Sequence, residues 1–135
     1  MGLFSGTRPD NLGVHDGRLA PPKPTPNNVS SQADRNVDAG HYIEPLRYSD
    51  DARQAWAALR RVIDGMERVK VVTSEANYLY AEFSSKLMAY VDDTEFYLDE
   101  KAAVIQVRSA SRLGRSDFGV NRERIESIRA KLAQR

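Results

Sequence analysis

Residues 91–111 read VDDTEFYLDEKAAVIQVRSAS, and the architecture follows from this stretch. Val91–Leu98 and Ala103–Ser111 each alternate apolar and polar side chains around the polar turn Asp99-Glu100-Lys101-Ala102, the pattern of an antiparallel hairpin with one buried face. Setting Leu98 opposite Ala103 puts Phe96 opposite Ile105, Thr94 opposite Val107 and Asp93 opposite Arg108. The apolar pairs then share one face and the Asp93–Arg108 pair lies on the other, as a side-chain period of two requires. Upstream, Val69–Thr73 and Leu79–Phe83 alternate in the same way around residues 74–78. There, Val69 falls opposite Phe83 and Val71 opposite Ala81, with Lys70 beside Glu82.

A helix is expected on each side of these strands. Ala52, Ala55, Trp56, Leu59, Val62, Ile63 and Met66 recur at steps of three and four, a continuous helical stripe with Trp56 at its buried centre. Ser49 or Asp50 is the expected N-cap and Gly65 the stop. Val120, Ile125, Ile128 and Leu132 mark a second helix over about Asn121–Ala133, with Asn121 as N-cap. Tyr42–Tyr48 is a short strand candidate that Pro45 restricts to a sheet edge. The order β-α-β-β-β-β-α predicts an α+β fold, an antiparallel sheet of four to five strands with both helices on one face. That face should hold Val69, Val71, Leu79, Ala81, Phe83, Phe96, Leu98, Ile105 and Val107.

The opposite face carries Lys70, Val72, Tyr80, Glu82, Asp93, Glu95, Tyr97, Gln106, Arg108, Ala110 and Arg112, a self-neutralising mixture. Three readings fit it. It is a solvated face with cross-strand ion pairs, it is covered by the N-terminal arm, or it forms a ligand site beneath that arm with Arg108 or Arg112 gripping an anion. The arm, residues 1–40, holds five of the six prolines and five of the eight glycines. It reads as extended chain belonging to the same domain as the α+β part, residues 41–135. Leu12, Val14, Leu19 and Val29 are its isolated apolar anchors. If residues 8–32 lie over Tyr80, Tyr97 and Arg108, then Asn27, Ser30 and Ser31 approach the sheet, and a ligand pocket lies along the arm's edge near Arg108 or Arg112.

The 135-residue chain is long enough for one domain with its own core, and it holds no cysteine. A disulfide framework, a thiolate metal site and a cysteine nucleophile are therefore excluded. Twenty bases against nineteen acids give a net charge of +1, which argues against a nucleic-acid partner, and no apolar run is long enough for membrane insertion. His15 and His41 stand 26 positions apart with no ligand at metal-binding spacing. Asp92 and Asp93 are consecutive on a strand and point to opposite faces, so they form no acid–base dyad. Serines are plentiful, yet no Gly-x-Ser-x-Gly elbow occurs. The turn before the second helix is an anion-site candidate through Arg112, Arg115 and Arg122, or is simply braced by Asp117 and Asn121.

Longer motifs then narrow the class. Arg8-Pro9, Leu12-Gly13-Val14, Asp16-Gly17-Arg18-Leu19, Pro26-Asn27, Val29-Ser30-Ser31-Gln32, His41-Tyr42-Ile43, Tyr90-Val91-Asp92-Asp93 with Glu95-Phe96, and the run from Val107 to Gly114 occur in this order. Ser116-Asp117 and Gly119-Val120-Asn121-Arg122 close the series. The chain thereby resembles the bacterial and plastid family called domain of unknown function 1499. Members often carry a cysteine on each side of the Pro-Asn segment, where this chain has Pro22 and Asn28. Many also begin with a lipoprotein-type or membrane-targeting leader, and this chain begins Met-Gly-Leu-Phe-Ser-Gly. Both departures imply a cytoplasmic branch. The resemblance brings no activity and no cofactor, and it favours a docked arm. The expected function is a small, soluble, non-enzymatic binding or accessory module with a protein or small-anion partner. The competing expectation is a small-anion sensor or enzyme with its site near Arg108, Arg112, Asp117 and Asn121.

Overall fold

The computed structural model describes residues 5–49, 51–87 and 90–134. In chain order the elements are β1 (Asn28–Ser30), β2 (Leu46–Arg47), α1 (Ala52–Asp64), β3 (Val69–Ser74), β4 (Tyr78–Ser84), β5 (Val91–Asp99), β6 (Val104–Ser111) and α2 (Val120–Ala133). The strands form one antiparallel sheet in the order β1-β6-β5-β4-β3, with β2 also on β6. Six strands exceed the four to five expected because the arm supplies one. β1 pairs with Arg108–Ala110 of β6, while β2 pairs with Val104–Ile105 along the same edge. Ser31 fills the gap between them: its N–H donates to Val107 O at 2.9 Å, and its hydroxyl accepts from Val107 N at 2.8 Å.

The candidate strand Tyr42–Tyr48 divides at Pro45, which has no N–H for a ladder. Its second half becomes β2, and Tyr42 forms a parallel bridge to Ser30 on the outer side of β1. The β3–β4 register is as expected through Val71–Ala81; Val72 then bulges and the pairing resumes at Thr73–Tyr80. The β5–β6 register differs from the expected one by two residues, with Leu98 opposite Ile105, Phe96 opposite Val107 and Glu95 opposite Arg108. The cause is the turn. Ala103 takes a left-handed conformation at φ 55°, which an extended ladder cannot include, so the last pair is Asp99–Val104. A shift of two preserves the faces but changes the partners.

Every residue expected on the helix-facing side of the sheet lies in or against the main core, with Leu59 and Ile63 of α1 and Ile125 and Ile128 of α2. Trp56 is a correction. It is partly buried at the core margin, and its indole N–H donates to Glu75 O at 3.1 Å, so Leu59 and Ile63 occupy the centre instead. Asp51 caps α1 by accepting from Arg53 N at 3.3 Å, in place of Ser49; the alternative cap, Asp50, lies outside the described residues. Gly65 ends α1 with its N–H on Arg61 O and Val62 O, as expected. Asn121 lies inside α2, whose N-cap is Gly119 at φ 81°. No helix among the described residues is long and apolar enough to cross a membrane.

Candidate functional site

The polar face of the sheet is roofed by the arm. Leu19 is buried against Tyr78 and Tyr80, with Leu12, Val14, Val72 and Tyr97 around them. Arg8 reaches Glu82 at 2.8 Å and Gly13 N donates to Glu95 Oε2 at 2.8 Å. Tyrosine rings thus provide the apolar contact and carboxylates satisfy the extended backbone, the combination an arm without its own ladder needs.

Under this roof stand two arginines in different conditions. Arg112 is fully occupied. Its guanidinium bonds Asp93 Oδ2 at 3.0 Å and Oδ1 at 2.9 Å, Glu82 at 2.5 Å and Ser5 O at 3.2 Å. The hydroxyl of Tyr80 donates to Asp93 and accepts from Arg112 at 3.3 Å. Burial opposes ionisation of Glu82, yet hydrogen bonds from Arg8, Arg112 and Tyr80 outweigh it and hold the carboxyl below its usual range. Burial, followed by the bond to Asp93, pushes Tyr80 well above the ordinary phenol range. Burial and Glu95 do the same to Tyr78.

Arg108 is 3% exposed, and its side chain makes one hydrogen bond among the described residues, from Nη1 to Glu95 Oε1 at 3.3 Å. Glu95 divides its charge, because Tyr78 and Gly13 N also donate to it. The Nε of Arg108 is buried with no hydrogen-bond partner, the one side-chain atom in that state among the described residues. A second cation is close. Lys23 donates to Ser111 O at 2.5 Å, and burial together with repulsion from Arg108 lowers its pKa. Ser30 lies opposite Arg108 in the β1–β6 ladder, hence on the same face, and lines a groove of about 430 Å³ with Asn11, His15, Arg18 and Gln32.

The remaining sequence-selected residues gather elsewhere. Asn27 donates to Gly114 O at 2.8 Å and accepts from Thr25 at 2.7 Å, and its carbonyl lies 3.2 Å from Asn121 Nδ2. Asn121 also accepts from Ser109 at 2.6 Å and meets Ser111 at 2.9 Å and Asp117 at 2.7 Å. Asp117 further accepts from Gly119 N and Asn121 N. Burial raises its pKa, but these N–H bonds prevail and lower it. Asp92 meets Arg124 at 2.8 Å on the helix side. This second cluster is hydrogen-bonded throughout, and it fastens the arm to the start of α2. Arg108 stands with Ser30 and Ser31 at the β1 edge, Arg112 with Asp93 and Glu82, and Asp117 with Asn121 and Asn27.

A family model described as protein of unknown function (DUF1499) matches residues 18–132. The chain belongs to this family. No curated protein matches it. The DUF1499 match takes in Leu19, Lys23, Asn27–Ser31, both arginines, Asp117 and Asn121. Sequence reasoning missed Tyr78, Lys23 and the Glu95–Arg108 pairing. Tyr78 was detectable, since it begins the alternation Tyr78, Tyr80, Glu82 on the arm-covered face. The pairing was not, because it depends on the conformation of Ala103.

Proposed function

We propose that this DUF1499 protein is a binding module that takes a small anion between arm and sheet, with Arg108 as the principal contact and Lys23 as the second. The observation that carries the reading is the unpartnered Nε of a guanidinium buried to 3% exposure. A buried guanidinium costs several kcal/mol in desolvation, recovered only when its donors are met, and a carboxylate or phosphate-type oxyanion meets two at once. Lys23, held on Ser111 O, adds a second positive charge that repels Arg108, and Ser30, the ladder partner of Arg108, lines a groove along the arm. The tyrosines at the site hold their protons too tightly to exchange them near neutral pH, which favours binding over acid–base chemistry. In this reading residues 1–40 and 41–135 act as one unit, because the site needs both.

Thermal unfolding in phosphate, sulfate and acetate against chloride of equal ionic strength tests the proposal. At least one oxyanion should raise the melting temperature, because a ligand that binds only the folded state stabilises it. Arg108→Gln should abolish the shift and Lys23→Met should weaken it. Equal melting in all salts, or a shift that survives Arg108→Gln, would overturn the reading.

A further inference from the structure

Arg112 shows how a guanidinium under the arm is satisfied. Its Nε meets Asp93 Oδ2 at 3.0 Å and its Nη2 meets Oδ1 at 2.9 Å, so one carboxylate lies side-on along that edge of the planar fork. Arg108 sits four residues earlier on the same face. Its one side-chain hydrogen bond among the described residues leaves from Nη1, on the far side of the fork, so neither Nε nor Nη2 donates to any of them.

The neighbours of Arg108 along its cross-strand row divide into donors already used and one that is not. The hydroxyls of Tyr78 and Tyr80 donate to Glu95 and Asp93. Ser30 is the ladder partner of Arg108 and shares its face. Its Oγ accepts from Gln32 N at 3.1 Å, and its own proton has no acceptor among the described residues. The Nε–Nη2 edge and the Ser30 hydroxyl suit a carboxylate, whose two coplanar oxygens can take all of these donors. A phosphate or sulfate would bring further oxygens out of that plane, and burying an acceptor without a donor is unfavourable.

Charge agrees with a monoanion. Glu82 has Arg8, Asp93 has Arg112 and Glu95 has Arg108. Lys70, opposite Glu82, is exposed and screened by solvent. Lys23, held on Ser111 O and near enough to repel Arg108, forms no ion pair among the described residues. One negative charge balances the set under the arm. A carboxylate supplies it near neutral pH, and a phosphate dianion exceeds it.

We infer, building on the anion reading above, that the ligand is an organic monocarboxylate docked side-on, with one oxygen on Arg108 Nε, the other on Nη2, and the Ser30 hydroxyl as a further donor. Arg112 and Asp93 display the same side-on geometry within the chain itself.

The test is titration of the full chain with acetate, inorganic phosphate and sulfate at equal ionic strength, followed by melting temperature and by NMR line broadening of carbon-13-labelled acetate. Acetate should stabilise more than phosphate or sulfate at equal concentration. Arg108→Lys keeps the charge but replaces the planar fork by a point charge, and should weaken acetate about tenfold or more. Ser30→Ala removes only a hydroxyl, so its result does not depend on the arginine variant folding. It should weaken acetate about threefold or more. Phosphate or sulfate matching acetate would overturn the carboxylate assignment while leaving the anion reading in place. Acetate binding undiminished in Arg108→Lys or in Ser30→Ala would do the same to the side-on docking. No stabilisation by any oxyanion would overturn both.

Discussion

Arg112 and Arg108 stand on the same sheet face, yet only Arg112 has a full set of acceptors. Its side chain is 5% exposed and its partner Asp93 1%. Arg112→Ala would leave Asp93 buried without a counter-charge and Glu82 with Arg8 alone. Loss of about 3–5 kcal/mol is expected in urea unfolding, the range for breaking one side of a buried pair. His41 yields a pH prediction. Its Nε2 meets Thr25 O at 2.8 Å and its Nδ1 meets Asp38 at 2.7 Å. Both partners accept, so the doubly protonated ring is favoured, and the Thr25 carbonyl leads in raising its pKa against the opposing effect of burial. A pKa raised in the folded state contributes stability that is complete below the unfolded value of about 6.5 and is lost as pH rises through the folded one. His41→Gln should remove that slope from melting curves recorded across the same window.

At the scale of elements, α1 shows how far periodicity reaches. The stripe Ala52 to Met66 was readable from spacing alone, and the helix forms over Ala52–Asp64. Which stripe residue sits deepest was not readable, because that depends on where α2 lies. Leu59 and Ile63 are enclosed together with Ile125 and Ile128, while Trp56 stays at the margin. Leu59→Ala is therefore expected to destabilise by about 2–5 kcal/mol, and Trp56→Ala by less than Leu59→Ala, in parallel urea titrations. The start of α2 follows the same logic. Asn121 has the chemistry of a cap, but Ser109 and Ser111 of β6 provide partners that draw its side chain inward, leaving Asp117 to accept from the first free N–H groups.

For the whole molecule, the arm is the main question. Its backbone is tied to the sheet through Ser31 N to Val107 O, Ser111 N to Asn27 O and Gly13 N to Glu95. Deleting residues 1–34 should lower the melting temperature, expose Tyr78 and Tyr80, and increase binding of an apolar dye such as ANS. In the intact chain the amides of Ser30, Ser31 and Ser111 should exchange slowly. Fast exchange at all three, with unchanged stability after deletion, would contradict the observed packing of Leu19 and Val29.

What the sequence by itself determined was what periodicity carries: the α+β class, both helices, four strands, and the face on which the core residues of those strands lie. These are local properties, since a period of two or near 3.6 is written in neighbouring residues. Tertiary structure alone decided who meets whom. One left-handed residue, Ala103, moved Arg108 from Asp93 to Glu95, and three arm residues became a strand because the edge of β6 needed partners. Ion pairs, edge pairing and the unmet Nε of Arg108 depend on contacts between residues distant in the chain. Their free energy is set by the geometry of the assembled sheet, which no local pattern encodes.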